Sequence, residues 1–171
     1  MITIRPEESL DAPAIAGVHR SAFGGETEVK IVEAVRASAA FIPDLSLVAV
    51  EDGRVVGHIL LSMVSIHAET FVPALALAPV AVLPGFQGRG IGSRLVEEGL
   101  RRCRALGHTI VIVVGDPSFY PRFGFTPARA RGLEAPFPVP DEAFMVLELI
   151  PGALEGITGT VSYPPAFLAG L

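Results

Sequence analysis

One cysteine, Cys103, occurs in 171 residues. That excludes an internal disulfide and a multi-cysteine metal site. Cys103 falls on the apolar stripe of an expected helix and reads as a small buried hydrophobe rather than a nucleophile. No G-x-S-x-G elbow is present, so nothing argues for a covalent acyl intermediate. Basic charge is scarce as well. Thirteen Lys and Arg stand against eighteen Asp and Glu, for a net charge of −5. Nucleic acid as the main partner would demand a basic surface. Long apolar runs are missing even though half the residues are hydrophobic and mean hydropathy is +0.53. The longest stretches, 71–83 and 109–114, carry proline or fall short of the ~18–20 residues of a membrane span. MITIRPEES at the start lacks the basic end and apolar stretch of a signal peptide. The expectation is a cytoplasmic protein with neither a membrane nor a nucleic acid as partner.

What is present has a clear order. The length fits one domain. TIR at 3–5 reads as a short strand. Leu10, Ile15, Val18 and Ala22 recur at helical spacing, and a second helix begins near Glu26, with Val29 and Val32 on its apolar face. The glycine-rich link SAFGGET separates the two. LSLVAVEDGRVVGHILLSMVSI is two β-type runs around Asp52–Gly53, a strong hairpin signal. FVPALALAPVAVLP is a third run, and Pro79 inside it demands a bulge or a local loss of pairing. A helix through Leu95, Val96 and Cys103 ends at Gly107. TIVIVV then reads as a strand covered on both faces, and AFMVLEL as a further strand. The tail from Pro151 carries Tyr163, Phe167, Leu168 and Leu171, anchors expected to pack back onto the domain. Together these give a mixed α/β fold with a crossover between parallel strands at its centre.

The segment FQGRGIGSRL, 86–95, places three glycines at a helix entrance. Backbone N–H groups there have no intrahelical partner, and the helix dipole makes that end positive. Bare glycine backbone admits an anion, most often a phosphate. Arg89 adds a cation and Ser93 a hydroxyl. The P-loop pattern fails because Ile91 stands where its lysine is required, and G-x-G-x-x-G fails at Ser93 or Leu95.

Gln87, Gly90 and Gly92 match a third pattern, [QR]-x-x-G-x-[GA] after a bulged strand. Tyr120, Gly124 and Phe125 match Y-x-x-x-G-F. These features, and the order of elements over about 3–149, resemble the GNAT superfamily of N-acetyltransferases. VVGHILLS and GDPSFYPRFGF resemble its YhbS-like branch most. The resemblance implies one acetyltransferase domain over 1–171, with 151–171 as a C-terminal extension packing on it. Its sheet would be mostly antiparallel, splayed at the bulged strand, with helices on both faces. It further implies transfer of an acetyl group from acetyl-CoA to a primary amine by direct attack in a ternary complex, without a metal. The backbone of Gln87, Gly88, Arg89, Gly90, Ile91, Gly92 and Ser93 would hold the pyrophosphate. Val80, Ala81 and Val82 would pair with the pantetheine arm, and an amide near Val82 would receive the oxyanion. Tyr120 would be the acid for the departing thiolate; otherwise it is a packed core tyrosine.

The base is open. Many relatives place a carboxylate on the bulged strand, whereas ALALAPVAV has none. Glu26 and Glu28 lie near the helix link, and His58 lies on a central strand. The glutamates also read as helix-start charges, and His58 as a hydrogen-bonded strand residue. A water chain, or an acceptor arriving neutral, would serve instead. His19, His67 and His108 read as surface or helix-end residues with no metal spacing. The apolar strand lining favours a small or partly apolar amine over a polycation. A monomer and a homodimer are both compatible with the apolar tail. The alternative function is a non-catalytic acyl-CoA-binding module on the same fold.

Overall fold

Asp52 and Gly53 both adopt positive φ, 50° and 75°, the twisted two-residue turn that suits antiparallel strands. They join β2 (Ser46–Glu51) to β3 (Arg54–His67). In this computed structural model, which describes residues 1–170, the hairpin is the middle of a nine-stranded sheet. Leu171, one of the expected tail anchors, lies outside the described residues. β1 (Ile2–Pro6) flanks β2, and β4 (Phe71–Val82) flanks β3, both antiparallel. β5 (Ile110–Val114) is parallel to β4, and β8 (Phe144–Glu148) is antiparallel to β5. The crossover read from the sequence is therefore the β4–β5 connection.

The register of β3 and β4 shows what Pro79 does. Ile59 faces Val80, but Leu61 faces Leu77. Two residues, Ala78 and Pro79, thus stand opposite Leu60 alone, which is a β-bulge. Beyond the bulge the strands part. β4 pairs with β5 only at Leu75–Val111 and Ala76–Ile112. β5 goes on with β8 to Val114, and β4 goes on with β3 to Val82. A wedge opens between β4 and β5.

Helices cover both faces. α3 (Ile91–Ala105) lays Leu95, Val96 and Cys103 against Leu47, Ile59 and Val111. Burial pushes the Cys103 thiol up to about 12, so it is inert at neutral pH, as its place on the stripe indicated. α1 (Ala12–Phe23) and α2 (Thr27–Arg36) pack Ile15, Val18, Val32 and Val35 on Val48 and Leu60 of the opposite face. Among the described residues, no helix is long and apolar enough to cross a membrane.

Three short strands escaped the sequence reading: β6 (Thr126–Pro127), β7 (Leu133–Glu134) and β9 (Gly159–Ser162). None is long enough to show an alternating pattern. β9 pairs with the far end of β3 and with β7, and its Val161 joins Ile66, Ile112 and Phe144 in a core beside the α1–α2 layer. A turn at Pro165–Leu168 brings Phe167 against that core and against the α1–α2 core.

One histidine departs from expectation, while His58 takes its reading as a hydrogen-bonded strand residue. His19 is fully buried rather than at the surface, and its Nε2 lies 2.8 Å from Nδ1 of His58, also fully buried. His58 Nε2 lies 2.8 Å from Ser46 Oγ, and Ser46 donates its hydroxyl to Glu7, whose carboxylate pairs with Arg36 at 2.9 Å. A carboxylate only accepts, so the proton order of the chain follows. Ser46 gives its proton to Glu7, His58 Nε2–H donates to Ser46, and His19 Nε2–H donates to His58 Nδ1. Both rings are neutral in this arrangement. Burial pulls His19 down to about 4, with the Arg36 charge adding to it. His58 is lowered well below its usual value by burial, then by His19 and Arg36. The unfolded chain therefore takes up these protons first as pH falls below about 6.5. Stability is complete above that pH and declines toward pH 4, by about 3 kcal/mol for His19 alone. Denaturant midpoints at pH 7.5 and pH 5 are expected to show this loss. His19→Gln keeps the donor to His58 and should shrink it; an equal loss in that variant would refute the assignment.

Candidate active site

The wedge between β4 and β5 is the floor of a cleft of about 590 Å³. Strand alternation decides which backbone groups reach it. Leu83 donates its N–H to Val56 of β3, so the N–H and C=O of Val82 point the other way, into the wedge. The Val82 carbonyl indeed accepts from the Gln87 side chain at 2.9 Å. Two residues back, Val80 faces the wedge as well, while the backbone of Ala81 faces β3. Of the three residues expected to pair with an extended ligand arm, Val80 and Val82 offer their backbone. Ala81 offers only its methyl to the wall.

The glycine loop continues from the wedge. Pro84–Phe86 form one tight turn, Gly88 and Gly90 take φ of 77° and 78°, and α3 begins at Ile91. Only glycine adopts such φ values without strain. Gly90 occupies the cap position, and no side chain caps the helix. A second cavity of about 390 Å³ lies against this bare end, lined by Gly88, Gly90, Ile91, Gly92 and Ser93. The helix entrance thus has the geometry of an anion cradle.

The cation expected there is placed differently. Arg89 is exposed and forks onto Glu51 at 2.7 and 3.0 Å, with its guanidinium 5.4 Å from the Phe86 ring centre. It lines neither cavity. Arg122 lines the cradle instead, stacked over Phe119 at 4.8 Å. Sequence reading passed over Arg122, although it lies inside FYPRFGF, two residues after Tyr120.

Tyr120 lines the cleft where wedge and loop meet, 7% exposed and edge-on to Phe119 and Phe125 at 5.0 and 5.8 Å. It opens the turn Tyr120–Phe123, and Pro121 sits in that first turn, where the missing N–H removes nothing. Burial, and then the Asp116 charge, push its hydroxyl up to about 12. It stays protonated at any pH suited to the protein. Gly115 holds the ring in place by its emptiness: a Cβ there would lie 2.6 Å from Tyr120 Cε2.

The three candidates for the base separate. Glu28 lines the cleft from α2, half-buried. Glu26 does not; it is exposed and gives both carboxylate oxygens to Arg20, one at 2.9 Å, which lowers its affinity for a proton. His58 does not either. It is sealed beneath α1, and its one lone pair accepts from His19. Asp116 also reaches the cleft, but its carboxylate accepts from Ser118 N and Oγ at 2.8 and 2.7 Å. Glu28 is the cleft carboxylate for which no such partner is formed among the described residues.

Comparison with known proteins agrees with this architecture. The family model described as acetyltransferase (GNAT) domain matches residues 3–128. The uncharacterized N-acetyltransferase YhbS of Escherichia coli K12 is 36% identical over 165 residues, 96% of this chain and 97% of that one. YjhQ of the same organism, likewise an uncharacterized N-acetyltransferase, is 38% identical over 142 residues, 82% of this chain and 78% of its own. The crystal structure of E. coli YhbS with CoA superposes with a TM-score of 0.91 at 34% identity, covering 98% of this chain and 92% of that one. A Brucella melitensis GNAT acetyltransferase with acetyl-CoA gives 0.80 at 36% identity, covering 98% of both. With a bulged and splayed sheet, an uncapped glycine-rich helix start and relatives matched along nearly their whole length, the chain belongs to the GNAT acetyltransferase family.

Proposed function

We propose that the protein transfers the acetyl group of acetyl-CoA to a primary amine by direct attack. The observation that carries this reading is the continuity of the site. A wedge of unpaired strand backbone runs into the bare amides of α3, and a buried tyrosine sits at the junction. The relatives crystallised with CoA and acetyl-CoA support it.

Each part has a physical task. The amides of Gly88 to Ser93 and the Arg122 guanidinium receive the pyrophosphate. The wedge-facing groups of Val80 and Val82 pair with the pantetheine arm as a neighbouring strand would. A preorganised amide among them stabilises the oxyanion that develops on the thioester oxygen. Tyr120 donates a proton to the departing sulfur. A phenol at about 12 is a reluctant acid in isolation, but a thiolate forming beside it in a buried site is a strong acceptor, and the donor never needs recharging by pH. Glu28 takes the proton that nitrogen loses, directly or through water. The mechanism stores nothing on the protein, in keeping with an inert Cys103.

Thermal unfolding with and without acetyl-CoA tests the reading. At a hundred times the dissociation constant the native state gains about 2.7 kcal/mol, a plain upward shift in Tm. No shift at millimolar acetyl-CoA would refute it. The non-catalytic acyl-CoA-binding alternative shares the shift and lacks turnover, so release of CoA thiol in the presence of amines separates the two.

A further inference from the structure

A second large cavity, about 670 Å³, lies on the α1–α2 side of the sheet beyond the wedge. It shares Leu77, Ala78 and Val114 with the cofactor cleft. Those three residues mark where β4 and β5 begin to part. The two cavities therefore meet at the bulge, one arriving from the glycine loop and one from the opposite side. Packed interiors hold few voids larger than a water molecule, while ligand pockets run to ~300–1,000 Å³. This space has the size of the latter.

Its outer wall is made by the C-terminal segment. Thr160 to Tyr163 follow β9 along the edge, and Phe167 and Leu168 close the end. Phe137 stacks on Tyr163 at 5.7 Å, tilted by 31°, and Tyr163 meets Phe167 edge-on at 5.2 Å. Three aromatic rings thus line one side of the chamber, with Ile112 and Val161 beneath. Among the described residues, no Asp, Glu, Lys or Arg lines it; its polar side chains are those of His67, Thr160, Ser162 and Tyr163.

We propose that this chamber is the acceptor site and takes the aromatic body of a primary amine, whose nitrogen lies at the wedge beside Glu28. The proposal rests on the acetyl-transfer reading above and adds the substrate class. Rings set edge-on and tilted offer an aromatic guest the same geometry they adopt with one another. The cleft carboxylates Glu28 and Asp116 lie at the nitrogen's end and not in the chamber, so the part of the acceptor that the chamber holds carries no charge. A polyamine or a lysine-rich peptide would bring further ammonium groups into a space holding no anion for them. In the transfer, the nitrogen lone pair forms the bond to the thioester carbon, and the carbon–sulfur bond breaks. Nitrogen loses one proton to Glu28 or water as sulfur gains one from Tyr120. A neutral amine and acetyl-CoA thereby give an amide and CoA with no net proton change.

The test follows CoA thiol release with a thiol reagent, to which buried Cys103 contributes no background. Phenethylamine, tyramine and tryptamine are compared with spermidine and a lysyl peptide. The expected kcat/KM for the arylalkylamines is at least tenfold higher. Phe137→Asp and Leu168→Asp place a carboxylate at either end of the chamber. Phe137 is 42% exposed and Leu168 62%, so neither change buries a charge. Each is expected to lower kcat/KM for phenethylamine tenfold or more and to leave the acetyl-CoA dissociation constant within twofold. The substrate class is overturned if spermidine or the peptide is the better acceptor, if no arylalkylamine reacts while acetyl-CoA binds, or if both variants match the parent. Preference for a long-chain acyl-CoA, removed by Phe137→Asp, would reassign the chamber to the acyl group and overturn it also. A protein that binds no acetyl-CoA refutes the transfer reading itself, which the melting curve reports independently.

Discussion

Tyr120→Phe is expected to bind acetyl-CoA like the parent and to lower kcat by about 10²–10⁴-fold, the range for loss of a positioned general acid. The substitution removes one oxygen from a ring held by Phe119, Phe125 and the bare face of Gly115. Packing is therefore preserved, and the Tm shift with acetyl-CoA should be unchanged. Because burial holds the hydroxyl near 12, the parent's acid function shows no loss as pH rises through the neutral range. An alkaline loss of kcat near pH 8–9 would require a different donor. Equal kcat in parent and variant would reduce Tyr120 to a wall of the cleft.

Gly92→Glu is expected to abolish the acetyl-CoA-dependent rise in Tm and to weaken acetyl-CoA binding by a hundredfold or more. Gly92 lies in the first turn of α3 and lines both the cleft and the cradle. A Cβ there meets only Val82 Cγ2, at an ordinary 3.9 Å. Its φ, unlike those of Gly88 and Gly90, is not in the left-handed region. The new side chain therefore fits, and an acidic group at a helix N-terminus stabilises the helix. Stability without ligand should be equal or higher while binding is lost. That pairing distinguishes occupation of an anion site from damage to the fold. A full ligand-induced shift in Gly92→Glu would show that the pyrophosphate does not lie at this helix entrance.

The residues differ in how openly they declared their roles. The Asp52–Gly53 turn, the strands β2 to β5 and the α3 stripe were legible because their signals are local: two positive φ values, alternation, a period of 3.6. Pro79 declared the bulge for the same reason, since a residue without an N–H cannot keep a regular ladder. Gly88, Gly90 and Gly92 declared a site because each glycine in a helix entrance is a stability loss that only exposed backbone explains. The cation of that site was not legible. Arg89 is adjacent in sequence, but Glu51, on the hairpin across the sheet, takes its guanidinium. Arg122 arrives from 33 residues beyond Arg89 by way of the turn after β5.

The candidate proton-transfer groups divide along the same line. Tyr120 stood out by its match, with Gly124 and Phe125, to the family pattern. Glu26, Glu28 and His58 could not be ranked by spacing. Arg20 neutralises the first, the cleft receives the second, and His19 and Ser46 enclose the third. The tail shows the contrast most fully. Its aromatic residues promised packing, but only the pairing of β9 with β3 turns Tyr163 and Phe167 into the wall of a chamber that opens at Ala78. By itself the sequence determined the main elements, the bulge and the uncapped, glycine-rich helix start, because backbone geometry and periodicity are properties of neighbouring residues. The tertiary structure decided which charges remain free and which apolar side chains enclose space. Both depend on partners that only folding selects, whether near in the chain, as Arg20 and Glu26 are, or far apart, as β3 and β9 are, and pairwise pattern along a sequence carries no record of who meets whom.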